Sequence, residues 1–65
     1  MAVTTVVTLP DGSTERHARC HPLVTHDDAV WIMEKHGPVE VDVRKRYKPD
    51  EWVHVSVLRG GAVIG

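Results

Sequence analysis

The sequence predicts an α+β domain of order ββαββ, one helix packed on a four-stranded sheet, and three stretches carry that expectation. Val39, Val41 and Val43 alternate with Glu40, Asp42 and Arg44, and Val53, Val55 and Val57 alternate with His54, Ser56 and Leu58. Period-2 alternation is the mark of half-buried strands. Ala2 to Leu9 is rich in β-branched residues and leads into Leu9-Pro10-Asp11-Gly12-Ser13. Between these stretches, His26 to His36 lies between Thr25 and Gly37-Pro38, which read as helix start and stop signals.

The first strand, Ala2 to Leu9, should end in a three-residue hairpin loop. Proline presets φ at the first central position, Asp suits the second, and Gly12 takes the left-handed position of a bulge. That loop sets Leu9 opposite Ser13, Val7 opposite Glu15, Val6 opposite Arg16, Thr4 opposite Ala18 and Ala2 opposite Cys20. Strand one is apolar on both faces and reads as central. Strand two, Thr14 to His21, carries Glu15, Arg16, His17 and Arg19 and reads as an edge protected by charge.

For the helix, Thr25 with Asp28 resembles a capping box, and Asp27 and Asp28 suit the positive end of the dipole. A helix from His26 to His36 would be about 16 Å long. Its apolar face would hold Ala29, Ile32, Met33 and His36, with Val30 at the margin. Trp31 falls outside that face, either under a loop or tail or free for a partner. Pro38 to Leu58 should form a second hairpin with valine opposite valine. That pairing requires an odd-length loop or a bulge at Lys48-Pro49-Asp50. Ala62 to Gly65 follows the domain of residues 1–61 as a short apolar tail, frayed unless it pairs. A β-grasp-like arrangement with strand one central fits the order first, and two adjacent antiparallel hairpins under the helix second.

The chain has 65 residues, so one small domain is expected, burying only ~60% of its unfolded surface. Cys20 is the only cysteine, which excludes an internal disulfide, and Phe is absent. A thin valine core of this kind favours self-association or a place in a larger complex. The formal charge of −1 provides no global attraction for nucleic acid or acidic membranes. No apolar run approaches ~20 residues, so no membrane partner is expected. No basic segment precedes an apolar core near the start, and the cytoplasm is the expected compartment.

These features lead to a non-enzymatic protein–protein interaction module, with Trp31, Trp52 and Tyr47 as partner-binding residues and a protein or a second copy as partner. The alternative is a nucleic-acid-binding hairpin whose tip is Arg44, Lys45, Arg46, Tyr47 and Lys48, cations meeting phosphates and aromatics meeting bases. His17, Cys20, His21 and His26 fall within ten residues, but their spacing matches no closed zinc pattern, so no metal and no cofactor is expected. Cys20 with His17 or His21 is the one nucleophile constellation. No base in reach and no oxyanion site accompany it, so no catalytic residue is assigned. Val57-Leu58-Arg59-Gly60-Gly61 resembles the last strand and diglycine terminus of ubiquitin-like modifiers. The resemblance implies activation at Gly61 after removal of Ala62 to Gly65.

Overall fold

The computed structural model describes residues 3–59 and 62–63. It shows an all-β chain, with no helix among the described residues. The strands are β1 (Val3–Thr8), β2 (Thr14–Ala18), β3 (Cys20–Val24), β4 (Val30–Lys35), β5 (Val41–Tyr47), β6 (His54–Arg59) and β7 (Ala62–Val63). They form a sheet of order β2-β1-β6-β7 and a second of order β3-β4-β5. Every pairing is antiparallel. The α+β expectation is therefore overturned, with the ββαββ order, the β-grasp-like arrangement and the two-hairpin alternative.

The first hairpin follows its turn chemistry. Gly12 N donates to Leu9 O at 2.9 Å, Leu9 N donates to Ser13 O at 2.8 Å, and Gly12 has φ 91°. The register is the expected one, Val7 with Glu15, Val6 with Arg16 and Thr4 with Ala18. β1 is central and β2 is an edge. Beyond Ala18 the expected strand breaks. Arg19 has φ 61°, and its N–H reaches Val3 O at 2.6 Å. This left-handed residue turns the chain out of one sheet and into the other, as bends at sheet corners do. The expected pairing of Ala2 with Cys20 involves Ala2, which lies outside the described residues.

The helix assigned to His26–His36 is instead the turn after β3 and strand β4. Thr25 N donates to Ala29 O at 2.8 Å and Asp28 N donates to Thr25 O at 3.0 Å. This repeats the hydrogen-bond pattern of the Pro10-Asp11-Gly12 loop, with Asp28 at φ 66° in the place of Gly12. The Thr25 hydroxyl oxygen accepts Ala29 N at 3.1 Å, and its proton goes to the Asp27 carboxylate. A type I turn and the first turn of a helix share right-handed dihedrals and the same Thr and Asp preferences. The long-range pairing of Val30–Lys35 on both sides decides between them. His36 N donates to Glu40 O at 2.8 Å, and Gly37 has φ 106°, so Gly37-Pro38 turns a hairpin.

Asp28 supplies a direct test of this correction. Left-handed backbone strains a side-chain-bearing residue. Asp28→Gly should therefore stabilise the chain by up to about 1 kcal/mol, read from urea midpoints. A helical first turn would lose stability from the same change.

The second expected hairpin, Pro38–Leu58, does not form either. β5 pairs with β4, and β6 pairs with β1 from Val3 with Arg59 to Thr8 with His54. Lys48–Val53 carries the chain between the sheets. It is turned by Glu51 N donating to Lys48 O at 2.9 Å and by Lys48 N donating to the Glu51 carboxylate at 2.8 Å. Val53 N then donates to Thr8 O at 2.9 Å. No valine-to-valine register exists across Lys48-Pro49-Asp50. The bulge lies elsewhere: Ile32 faces Lys45 and Met33 faces Val43, which leaves Arg44 as the extra residue of β5.

The core sits between the sheets. Val7 of β1 meets Cys20, Val30, Ile32 and Tyr47 of the second sheet, with Leu9, Trp52 and Val55 packed against them. Thr5 is fully buried, and its hydroxyl donates to Cys20 O at 2.6 Å. The expected tail pairs in part, Ala62 with Arg59 and Val63 with Leu58. The Gly60-Gly61 pair lies outside the described residues.

Candidate functional site

Strand β4 has apolar residues on both faces. Val30 and Ile32 are fully buried, whereas Trp31 and Met33 between them are half-buried. The register extends that outer face over the whole sheet: Leu23, Trp31 and Arg46 form one row, and His21, Met33 and Val43 the next. Val41 follows opposite Lys35. Leu23 and Val41 are each 46% exposed, and Val39 in the adjoining turn is 88% exposed. The Arg46 guanidinium lies over the Trp31 ring, 4.9 Å from its centroid. This cation–π roof lies on a face that no described element covers.

The bulge at Arg44 creates the apolar stripe. Upstream of it, Val41 and Val43 pair with Lys35 and Met33 on the outer face. Downstream, Lys45 and Tyr47 pair with Ile32 and Val30 and face the core side. Without the extra residue, one of these two sets would have to change faces. Arg44 itself is hydrogen-bonded to the Glu34 carboxylate.

Tyr47 anchors a polar cluster across one edge of the two sheets. It is 3% exposed. Its hydroxyl donates to the Glu15 carboxylate and lies 2.8 Å from His17 Nε2. Lys45 Nζ is 3.9 Å from the same carboxylate and 5.2 Å from the Tyr47 ring centroid. Burial, then the bond to Glu15, pushes the Tyr47 phenol far above its ordinary value. Burial also lowers His17 below its ordinary 6.5, with Glu15 opposing and Lys45 reinforcing the shift. A cleft of about 480 Å³ opens beside the cluster between Leu9-Pro10 and Tyr47.

The lowered His17 fixes the sign of a pH effect. The unfolded chain takes up a proton at pH values where the folded chain does not. Stability is therefore full above about pH 6.5 and falls as pH drops from there toward the folded pKa. Urea midpoints should decline as pH falls below about 6.5, and more weakly in His17→Ala.

The three proposed partner-binding aromatics have different environments. Trp31 lies on the outer face. Trp52 is half-buried against the core, and its Nε1–H donates to Asp28 O at 2.8 Å, clamping the Lys48–Val53 connection to the β3–β4 turn. Tyr47 belongs to the core. The cations of the expected basic tip diverge: Arg44 toward Glu34, Lys45 toward Glu15, Arg46 onto Trp31, with Lys48 exposed in the turn.

His17 joins Tyr47, Cys20 is in the core, and His21 and His26 are exposed. Among the described residues no three potential ligands gather as a metal site. The Cys20 thiol donates to Ala18 O at 3.3 Å, and burial raises its pKa. Leu23, Met33, Val41 and Val43 were missed as surface residues. The alternation of Val30 and Ile32 with Trp31 and Met33 is the signal that could have found them. No helix of the described residues is long and apolar enough to cross a membrane. No family model, curated protein or solved structure matches the chain.

Proposed function

We propose that the chain is a small, non-enzymatic protein–protein interaction module whose contact surface is the outer face of β3-β4-β5. The observation that carries this reading is the run of Leu23, Trp31, Met33, Val41 and Val43 on a sheet face left open to solvent. Apolar patches rimmed by polar residues mark contact sites, and a tryptophan near the centre is the usual energetic anchor. Polar groups rim this patch, with His21 at one side and Lys35 and Arg46 along β4 and β5. The nucleic-acid alternative draws less support, because Arg44, Lys45 and Arg46 each have an intramolecular partner and leave in different directions.

The test is capture of protein partners from nuclease-treated extract of the native host. Trp31→Ser with Val41→Ser should reduce capture at least about tenfold, because a buried anchor contributes ~2 kcal/mol or more. Wild-type capture should also persist as salt rises, whereas phosphate contacts would weaken steeply. Equal capture by the double variant would remove the outer face from the account.

A further inference from the structure

The outer face ends at β5, the terminal strand of the β3-β4-β5 order, and no described element pairs with its other side. A seven-residue strand with unpaired backbone groups is a template for another strand. Edge strands are commonly protected by charge, by proline or by a bulge. Across β5 and the residue before it the charge changes sign at Val43: Glu40 and Asp42 precede it, and Arg44, Lys45 and Arg46 follow it. We infer that β5 pairs antiparallel with β5 of a second copy, Val43 opposite Val43, forming a two-fold dimer with a continuous six-stranded sheet. The inference rests on the reading of the outer face as a contact surface and extends that face across two chains.

The charge order selects the register. Antiparallel pairing about Val43 sets Asp42 of each copy opposite Arg44 of the other. Both project toward the core side, since Asp42 faces Glu34 across β4 and Arg44 bonds to that same Glu34. Lys45 is turned toward Glu15, so Arg44 is the cation that meets the incoming Asp42. A shift of two residues one way sets Arg44 against Arg44, and the other way Asp42 against Asp42. Parallel in-register pairing sets every charge against its like. Like charges directly opposite are destabilising, so the Val43 register is favoured among these.

The apolar pattern agrees with the charges at the centre of the pair, while beyond it the bulge sets Val41 on the outer face opposite Lys45 on the core side. Met33 faces Val43 across β4 and β5. In the dimer one row of the outer face would read Met33, Val43, then Val43 and Met33 of the second copy. The exposed stripe of one chain would become the central band of a doubled surface. Symmetry makes the contact isologous, so it closes at two chains and does not propagate.

Sedimentation equilibrium of the full chain tests this with a charge-exchange design. The wild-type chain should show a concentration-dependent dimer. Asp42→Lys alone and Arg44→Glu alone each create two repulsive pairs, and each should raise the dissociation constant about tenfold or more. An equimolar mixture of the two variants restores both attractive pairs and should form a heterodimer within about threefold of wild-type affinity. Restoration on mixing also shows that each variant is folded. A wild-type chain that stays monomeric up to about 1 mM, variants that dimerise as well as wild type, or a mixture that fails to recover would each overturn the inference. None of these results alters the Trp31-dependent capture above, which is read separately.

Discussion

Ile32→Ala should cost about 2–5 kcal/mol, because it empties a fully buried site between the two sheets. For a chain of this size that is much of the ~5 kcal/mol available, and the variant should be largely unfolded at 37 °C. Met33→Ala, one residue on, should cost under about 1 kcal/mol, because Met33 lies half-buried on the outer face. The contrast depends on β4 being a strand. On a helix from His26 to His36 both side chains would share the buried face and both substitutions would be costly. Urea denaturation monitored by tryptophan fluorescence reads the pair. Equal losses would mean that the outer face is not where the register places it.

Tyr47→Phe should be the second large effect, at about 1–2 kcal/mol after allowance for the solvent that reaches Glu15. The ring would still fill the core, but the Glu15 carboxylate and His17 Nε2 would lose the hydroxyl between them. That hydroxyl is one of the few specific links between β2 and β5, the two strands brought together at this edge. The loss should shrink in the background of Glu15→Gln with His17→Ala, because the partners left unsatisfied would already be gone. A double-mutant cycle that shows no coupling would mean that the cluster does not hold the edge.

Local chemistry was legible wherever one residue type had one meaning. Gly12 after Pro10-Asp11 specified the first loop and, through it, the register of β1 with β2. The Val55–Val57 alternation identified β6, and the two apolar faces of Ala2–Leu9 identified a central strand. What could not be read was which strands pair over long distances. Val41 and Val43 alternate just as core valines do, yet they pair with Lys35 and Met33 on the outside, because Arg44 is inserted between them and Tyr47. Nothing in a single sequence marks Arg44 as a bulge or Arg19 as the left-handed corner. Arginine has no preference for either place, and tertiary contacts impose both.

The helix error has the same origin. Thr25-His26-Asp27-Asp28 can open a helix or close a type I turn, and Gly37-Pro38 can end a helix or turn a hairpin. The short apolar run Val30-Trp31-Ile32-Met33 satisfies either period, and strands on both sides of β4 settle the matter. One residue did carry the warning. Trp31 fell outside the apolar face of the helix, and it is the residue now at the centre of the candidate surface. Trp52 and Tyr47 were singled out for the same aromatic character, but their polar atoms are used inside the molecule, at Asp28 O and at Glu15 and His17. An aromatic residue whose polar group is already bonded is part of the fold. Trp31, on the outer face with Arg46 over its ring, is the one placed for a partner.

The proposed surface exists only if Val30–Lys35 is a strand between β3 and β5. Nuclear Overhauser contacts across β4 measure this directly in the wild-type chain. The account predicts cross-strand contacts linking Leu23 with Trp31, Trp31 with Arg46 and Met33 with Val43, and strong sequential Hα–HN contacts from Val30 to Lys35. Strong HN–HN contacts between neighbours, with Hα(i)–HN(i+3) contacts through the same residues, would contradict it.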